Sequence, residues 1–407
     1  MKFWRVLFLI LAFGTARADA YDPAAGTVEL HSHIFMDQGL GLMFHGKFTG
    51  PIEATSWKDR FSEQTNADAV NRSGVAILVV ALYALPGFVW SMKDAIRHQM
   101  DTAEQFVKDN PQWVIARSPD DATQILAQGK RALIFSLENA HGVLDSEDDL
   151  KEFVDERGIR IVTFMHLMDN SYGGAAYLQG YHVFSNIWSW LFGMFDPDIE
   201  SDGDRVNPRG LEPKGKEMLA RLLAHHVWID LSHSSDATKN DVIPILQAQN
   251  QPLLYTHAPL RKYYGAERGI TEDQIKQVKE SGGIIGVVPS DEMLVNTKVD
   301  PRFCGKGCPA SCDSGAHALA QQYSEMVALM GSADRVMFGS DYNGGIPHLS
   351  PRCGTGTSLD RDGLWTMSQV PEVWEALRAL GGPVPASPQG SREAFISVWG
   401  QAFSHSN

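Results

Sequence analysis

Positive charge is scarce in this 407-residue chain: 35 lysines and arginines face 49 aspartates and glutamates, for a formal net charge of −14. That balance argues against nucleic acid or an anionic membrane as partner and leaves metal ions and small molecules open. Long apolar runs are also missing, except at the very start. There, "MKFWRVLFLILAFGTARADA" has a basic beginning at Lys2 and Arg5, an apolar stretch from Val6 to Phe13, and small residues suited to cleavage near 18 or 20. The run is shorter than the roughly 20 residues needed to span a bilayer, so residues 1–20 read as a secretory signal rather than an anchor. The expectation is an exported protein, periplasmic or secreted, with no integral membrane segment in residues 21–407.

Cysteine is rare as well. The four present are Cys304, Cys308, Cys312 and Cys353. The spacing in "CGKGCPASC" matches no usual zinc finger and has no companion histidine pair, which points to disulfides whose pairing stays open. No Pro/Ser-rich linker, internal repeat or low-complexity tract divides the sequence, so residues 21–407 read as a single domain. Ser232 and Ser234 lack the surroundings of a nucleophile elbow, which argues against a serine mechanism.

What is present is a regular alternation. Eight short segments rich in Val, Ile and Leu read as buried parallel strands: 27–34, 74–83, 131–139, 159–166, 227–233, 252–259, 282–290 and 335–343. Helices with recognisable ends lie between them. Ser118-Pro119 opens one, "TEDQ" at 271–274 is a capping box opening another, and "LEPKGKEMLARLLAHH" places Leu211, Met218, Leu219, Leu222 and Leu223 on one face. No glycine-rich phosphate loop follows the first strand, as an open doubly wound sheet would require. The expected fold is α/β, a (β/α)8 TIM-type barrel with loop insertions near 167–210, 291–333 and 344–366.

The strand ends carry the chemistry. Strand one ends with His31 and His33, strand three with Glu138, strand four with His166, strand five with His233, strand six with His257 and strand eight with Asp341. In a barrel all of these converge on one face. His31 and His33, two residues apart on a strand, point to the same side and can share an ion. His233 and His257 can hold a second, with Glu138 bridging. Imidazole nitrogens with carboxylate oxygens suit zinc, two Zn2+ per chain, with another divalent metal as the alternative. Two close cations repel unless anions lie between them, and a bridging carboxylate with hydroxide supplies that charge. Asp341 is the expected proton carrier.

These residues resemble the membrane (renal-type) dipeptidases, peptidase family M19, within the amidohydrolase superfamily. "SLENAHG" resembles the family's Glu-Gly-Gly-His segment and "RIVTFMHLMDN" its Thr-Leu-Thr-His segment. "GLEPKGKEMLARLLAHHVWIDLSHSS" is similar to its Gly-Leu-Thr … Gly … Asp-Leu-Ser-His run, and "PLLYTHA", "RGITEDQIKQVKESGGIIGVV" and "GSDYNG" follow in family order. The resemblance implies that Glu138 bridges two zincs, that His233 and His257 bind the second, and that His166 steadies the oxyanion. It also implies that Arg268 pairs with the substrate's free carboxylate. The chain departs from the family at Glu29-Leu30-His31-Ser32-His33, where the family begins Asp-x-His-x-Asp. It departs again at Asn139 and Ala140, where glycines are common, and at Asn343, where a second Asp is common.

The expected activity is hydrolysis of dipeptides by metal-activated hydroxide. Two alternatives stand beside it: a binuclear amidohydrolase acting on an N-acyl amino acid, lactam or other small carboxylate-bearing amide, and a non-catalytic metal-binding barrel. The oligomeric state, homodimer included, is left open.

Overall fold

In a computed structural model of the chain, the residues described are 26–36, 64–85, 89–178, 198–199, 205–304, 312, 314–352 and 356–404. The signal-like residues 1–20, Cys308 and Cys353 lie outside them.

The eight apolar segments form strands because β-branched and leucine side chains fill both faces of a pleated ribbon buried on both sides. They are β1 (Val28–Ser32), β2 (Ile77–Leu82), β3 (Arg131–Glu138), β4 (Ile159–Thr163), β5 (Trp228–Asp230), β6 (Leu254–Tyr255), β7 (Ile284–Val287) and β8 (Val336–Phe338). Each pairs in parallel with the next, and β1 pairs with β8 through Glu29 and Phe338, which closes the ring. This is the closed α/β TIM-type barrel of eight parallel strands. A further short strand, Trp113–Ile115, pairs with the first residues of β3.

The helices keep the ends read from the sequence. α1 (Pro119–Ala127) is capped by Ser118, and α3 (Glu272–Glu280) opens with the reciprocal Thr271–Gln274 capping box. α2 (Pro213–Ala224) buries Met218, Leu219, Leu222 and Leu223. Leu211 is buried too, but it precedes the helix, because Pro213 at the first turn sets the helix start after it.

Strand alternation divides the barrel interior into two layers. Below, Val28, Ile77, Ile134, Trp228, Leu254 and Met337 form one apolar cluster, stoppered by Phe395, Val398 and Trp399 of α4 (Pro388–Ser404). On four neighbouring strands, β3 to β6, the next inward positions are polar: Ser136 and Glu138 on β3, Thr163 after Ile161, Asp230 after Trp228, Thr256 after Leu254. All five are at most 1% exposed. The functional cluster therefore rests on a polar floor, which itself rests on an apolar plug.

β1 breaks the alternation to fit. Val28 and Leu30 belong to the inner cluster, so strict period two would turn His31 and His33 outward. Between Glu29 and Ser32 the register slips: three steps on β1 match two on β2, since Glu29 faces Leu78 and Ser32 faces Val80. That bulge turns both histidines into the barrel mouth.

Candidate metal centre

Only His31 and Glu138 of the site residues lie within the strands as observed. His33, His166, His233, His257 and Asp341 lie one to three residues past the strand ends, so the strands stop earlier than the sequence pattern suggests. Two of these residues explain why: His233 and Asp341 adopt left-handed backbone conformations with φ of 64° and 59°. Such a residue ends a strand and swings its side chain back toward the axis, at a conformational cost normally tolerated where surrounding contacts over-determine it.

Glu138 is the centre of the constellation. Its Oε1 lies 3.6 Å from His31 Nε2, 3.2 Å from His233 Nε2 and 3.4 Å from His257 Nε2. Its Oε2 lies 3.2 Å from His33 Nε2 and 3.5 Å from His166 Nε2. The imidazole nitrogens also face each other, His31 to His33 at 3.2 Å and His233 to His257 at 2.9 Å. Asp341 Oδ1 lies 3.2 Å from His33 Nε2 and 3.9 Å from His31 Nε2.

A divalent cation fits this donor set. Both oxygens of Glu138 are buried without a directed hydrogen bond, a costly state for an ionised carboxylate unless a cation balances it. Nitrogen lone pairs about 3 Å apart likewise call for a positive centre between them. Among the described residues, three groups place their ligand atoms within 4.8 Å of one another: His31–His33–Asp341, His31–Glu138–His257 and Glu138–His166–His233. The first two share His31 and the last two share Glu138, which suits a joined centre rather than isolated sites.

Electrostatics vary across the cluster. Burial would raise the Glu138 carboxyl, but the surrounding imidazoles, His166 and His31 foremost, hold it well below the usual carboxylate range. Burial would lower His33, yet the Asp341 and Glu138 carboxylates beside it push it up to about 10. Burial and the Arg268 guanidinium hold His233 well below its ordinary value, while burial and His31 do the same to His257. Burial takes His166 down to about 4, leaving a neutral imidazole able to offer a ring N–H.

Arg268 reaches the cluster from the loop after β6. Its Nη2 donates to the His257 carbonyl at 2.8 Å and lies 3.1 Å from His233 Nε2, while Nη1 is buried with no hydrogen-bond partner. Its neighbours fix it. Glu267 accepts from the backbone N–H groups of Tyr177, Asn207 and Asp236. Burial and the nearby Asp236 carboxylate push Glu267 up to about 7. Arg261 grips Asp236 with two hydrogen bonds and donates to the carbonyls of Glu267 and Gly269. A Cβ at Gly269 would come within 2.5 Å of the Arg261 Cα, so only glycine lets the turn close.

The sequence reading passed over Tyr83, Thr163, Asp230 and Thr256. Tyr83 stacks edge-on against His166 at 4.4 Å and helps line a cavity of about 200 Å³ with Asn139, His141, His166 and Asn170. Asp230 is the aspartate of the "DLSH" stretch, and its carboxylate accepts four hydrogen bonds, from the Ser232 and Thr256 backbone N–H groups and the Thr163 and Thr256 hydroxyls. Its inward parity with Trp228 was the signal that could have revealed it.

The family model described as membrane dipeptidase, peptidase family M19, matches residues 28–191 and 193–351. The chain belongs to this family. Among curated relatives, a dipeptidase of Aspergillus terreus is 28% identical over 209 residues, covering 51% of this chain and 48% of that protein. An uncharacterized dipeptidase of Schizosaccharomyces pombe is 25% identical over 266 residues, covering 65% of this chain and 52% of its own length. The chain thus spans about half the length of the curated relatives it matches. Its fold is shared with the probable dipeptidase PvdM of Pseudomonas aeruginosa, at TM-score 0.65, 19% identity and coverage of 93% of this chain and 96% of that one. A Rhodobacter sphaeroides metallopeptidase liganded with a phosphinate mimic of L-Ala-D-Ala aligns at TM-score 0.64 and 16% identity, over 93% of this chain and 99% of that one.

Proposed function

We propose that this M19 chain is an exported metallodipeptidase that holds two divalent ions, zinc being the first choice, and cleaves dipeptides. The observation that carries the reading is Glu138: one buried carboxylate whose two oxygens face five imidazoles drawn from four different strand ends. Ions bound there would supply Lewis-acid activation of water and of the scissile carbonyl.

The chain's own residues do the rest. His31, His33, His233 and His257 present nitrogens, and Glu138 balances charge between the two pairs. Asp341, within 3.2 Å of His33, is placed to take a proton from the attacking water and return it to the leaving amine. His166 offers an N–H to the oxygen that becomes negative in the tetrahedral state. Arg268, with Nη1 unsatisfied, matches a substrate carboxylate.

Export is supported by the pattern of residues 1–20 and by the cysteines. Cys304, Cys308, Cys312 and Cys353 are proposed to pair as disulfides, and among the described residues no cysteine is free. No described helix is long and apolar enough to cross a membrane.

The test is full-length protein reconstituted with zinc and assayed on a panel of dipeptides, N-acyl amino acids and lactams. Dipeptide turnover with two ions per chain supports the reading. Turnover confined to the other amides would move the substrate class, and one ion with no turnover would favour a non-catalytic metal-binding barrel. Asp341→Asn should keep the metal content but lose roughly 10²–10⁴-fold in kcat. Full activity in that variant removes Asp341 from the mechanism.

A further inference from the structure

Beneath the histidines, the Thr256 hydroxyl makes three contacts. Oγ1 donates to Asp230 Oδ2 at 2.6 Å. It also lies 3.2 Å from His31 Nδ1 and 2.8 Å from His257 Nδ1. A hydroxyl has one proton and two lone pairs. With the proton given to Asp230, Oγ1 can only accept from the two rings. Both His31 and His257 must then carry their hydrogen on Nδ1, leaving each Nε2 lone pair free and aimed at Glu138.

We infer that Thr256 is a positioning residue that fixes, with one hydroxyl, the tautomer and orientation of one imidazole in each histidine pair. This rests on the reading of the cluster as a divalent-metal centre. The two clamped rings stack at a centroid distance of 3.7 Å and an interplanar angle of 29°, as expected of rings hung from a common atom. Their partners are different: the Nδ1 atoms of His33 and His233 are buried without a hydrogen-bond partner. Each pair thus has one ring held from below and one ring held only by what lies at its Nε2. Asp230 sets the direction of the clamp, because the Ser232 and Thr256 backbone N–H groups hold its Oδ1 and leave Oδ2 facing Thr256. Thr163 supplies the other hydroxyl to that same oxygen, at 2.8 Å, with no hydrogen bond to either ring.

Thr163 therefore provides the matched control. The tautomers are read in full-length, metal-depleted, 15N-histidine-labelled protein by two-bond proton–nitrogen correlation, with single histidine substitutions for assignment. Zinc affinity is read against a competing chelator. The wild type should show His31 and His257 protonated on Nδ1, and Thr256→Ser should preserve this. Thr256→Val, which keeps the shape and removes the hydroxyl, should lose the fixed pattern and weaken both ions by roughly 10–100-fold. Thr163→Val should keep the tautomers and stay within about threefold of wild type in affinity.

An Nε2–H tautomer for either ring in the wild type overturns the inference, whatever the variants do. So does a folded Thr256→Val that binds both ions normally, or a Thr163→Val that weakens them equally. If the wild type takes up no divalent ion, the metal reading falls, and the tautomers in the metal-free protein still decide for or against the clamp.

Discussion

The two histidine pairs at the barrel mouth use the same side chains and meet opposite surroundings. His31 and His33 sit against two carboxylates, Glu138 and Asp341, and His33 is pushed up to about 10 by them. His233 and His257 share Glu138 but have Arg268 alongside, its Nη2 at 3.1 Å from His233, and burial with that guanidinium holds His233 well down. The first pair faces two carboxylates; the second shares one of them and already has a guanidinium next to it. On the proposed function, the difference suits a division of labour in which the first pair would anchor an ion beside Asp341. The second pair would hold its ion next to the group that would receive a substrate carboxylate. A bound carboxylate on Arg268 would relieve the crowding there, so substrate and the second ion should support each other.

The largest effect should come from removing what the pairs share. Glu138→Gln deletes the charge facing both, and metal content measured on purified protein should fall from about two ions per chain to one or fewer, with dipeptide turnover down by at least roughly 10³-fold. Two ions retained at normal affinity would mean that the pairs are independent sites and Glu138 a bystander. A smaller and more selective effect is expected from Arg268→Met, which touches only the second pair's surroundings. KM for dipeptides should rise roughly 10–100-fold, the loss of a charge-assisted hydrogen-bonded pair. Amide substrates without a free carboxylate should change little. Equal loss on both substrate types would assign Arg268 to the chemistry instead of to substrate binding.

The asymmetry was only partly legible in the sequence. Barrel, strand order and the convergence of His31, His33, Glu138, His166, His233, His257 and Asp341 follow from the placement of ligating residues after apolar runs, because a closed parallel barrel sends all those ends to one face. Arg268 carried no such mark: a loop arginine reads as a surface cation, and its burial depends on Glu267, Arg261 and Gly269 folding the turn inward. The β1 bulge was hidden as well, since a register slip is set by what β2 and β8 present and not by the HxH spacing itself. Thr163, Asp230 and Thr256 were visible in principle, each two residues beyond an apolar inward position, but isolated hydroxyls and a strand aspartate have many ordinary uses.

The finest test of the comparison swaps one ligand of the first pair. His33 stands where the family's pattern has a carboxylate, and the bulge that turns it inward is a backbone feature that a shorter side chain inherits. His33→Asp exchanges an imidazole for an anionic carboxylate beside Glu138 and Asp341. For the ion at the first pair this adds attraction, and zinc affinity there should rise by about tenfold, a change of 1.4 kcal/mol. The second pair is shielded from the new charge by the first ion and by Glu138 between them, so its affinity should move by less than about threefold. In stepwise chelation the wild type should release the second-pair ion first, because Arg268 crowds it, and His33→Asp should widen the gap between the two release steps. Metal analysis along the chelator titration, with Arg268→Met as the opposite perturbation that narrows the gap, separates the cases. If His33→Asp narrows the gap, or Arg268→Met leaves it unchanged, the charge difference between the pairs does not govern how they hold metal.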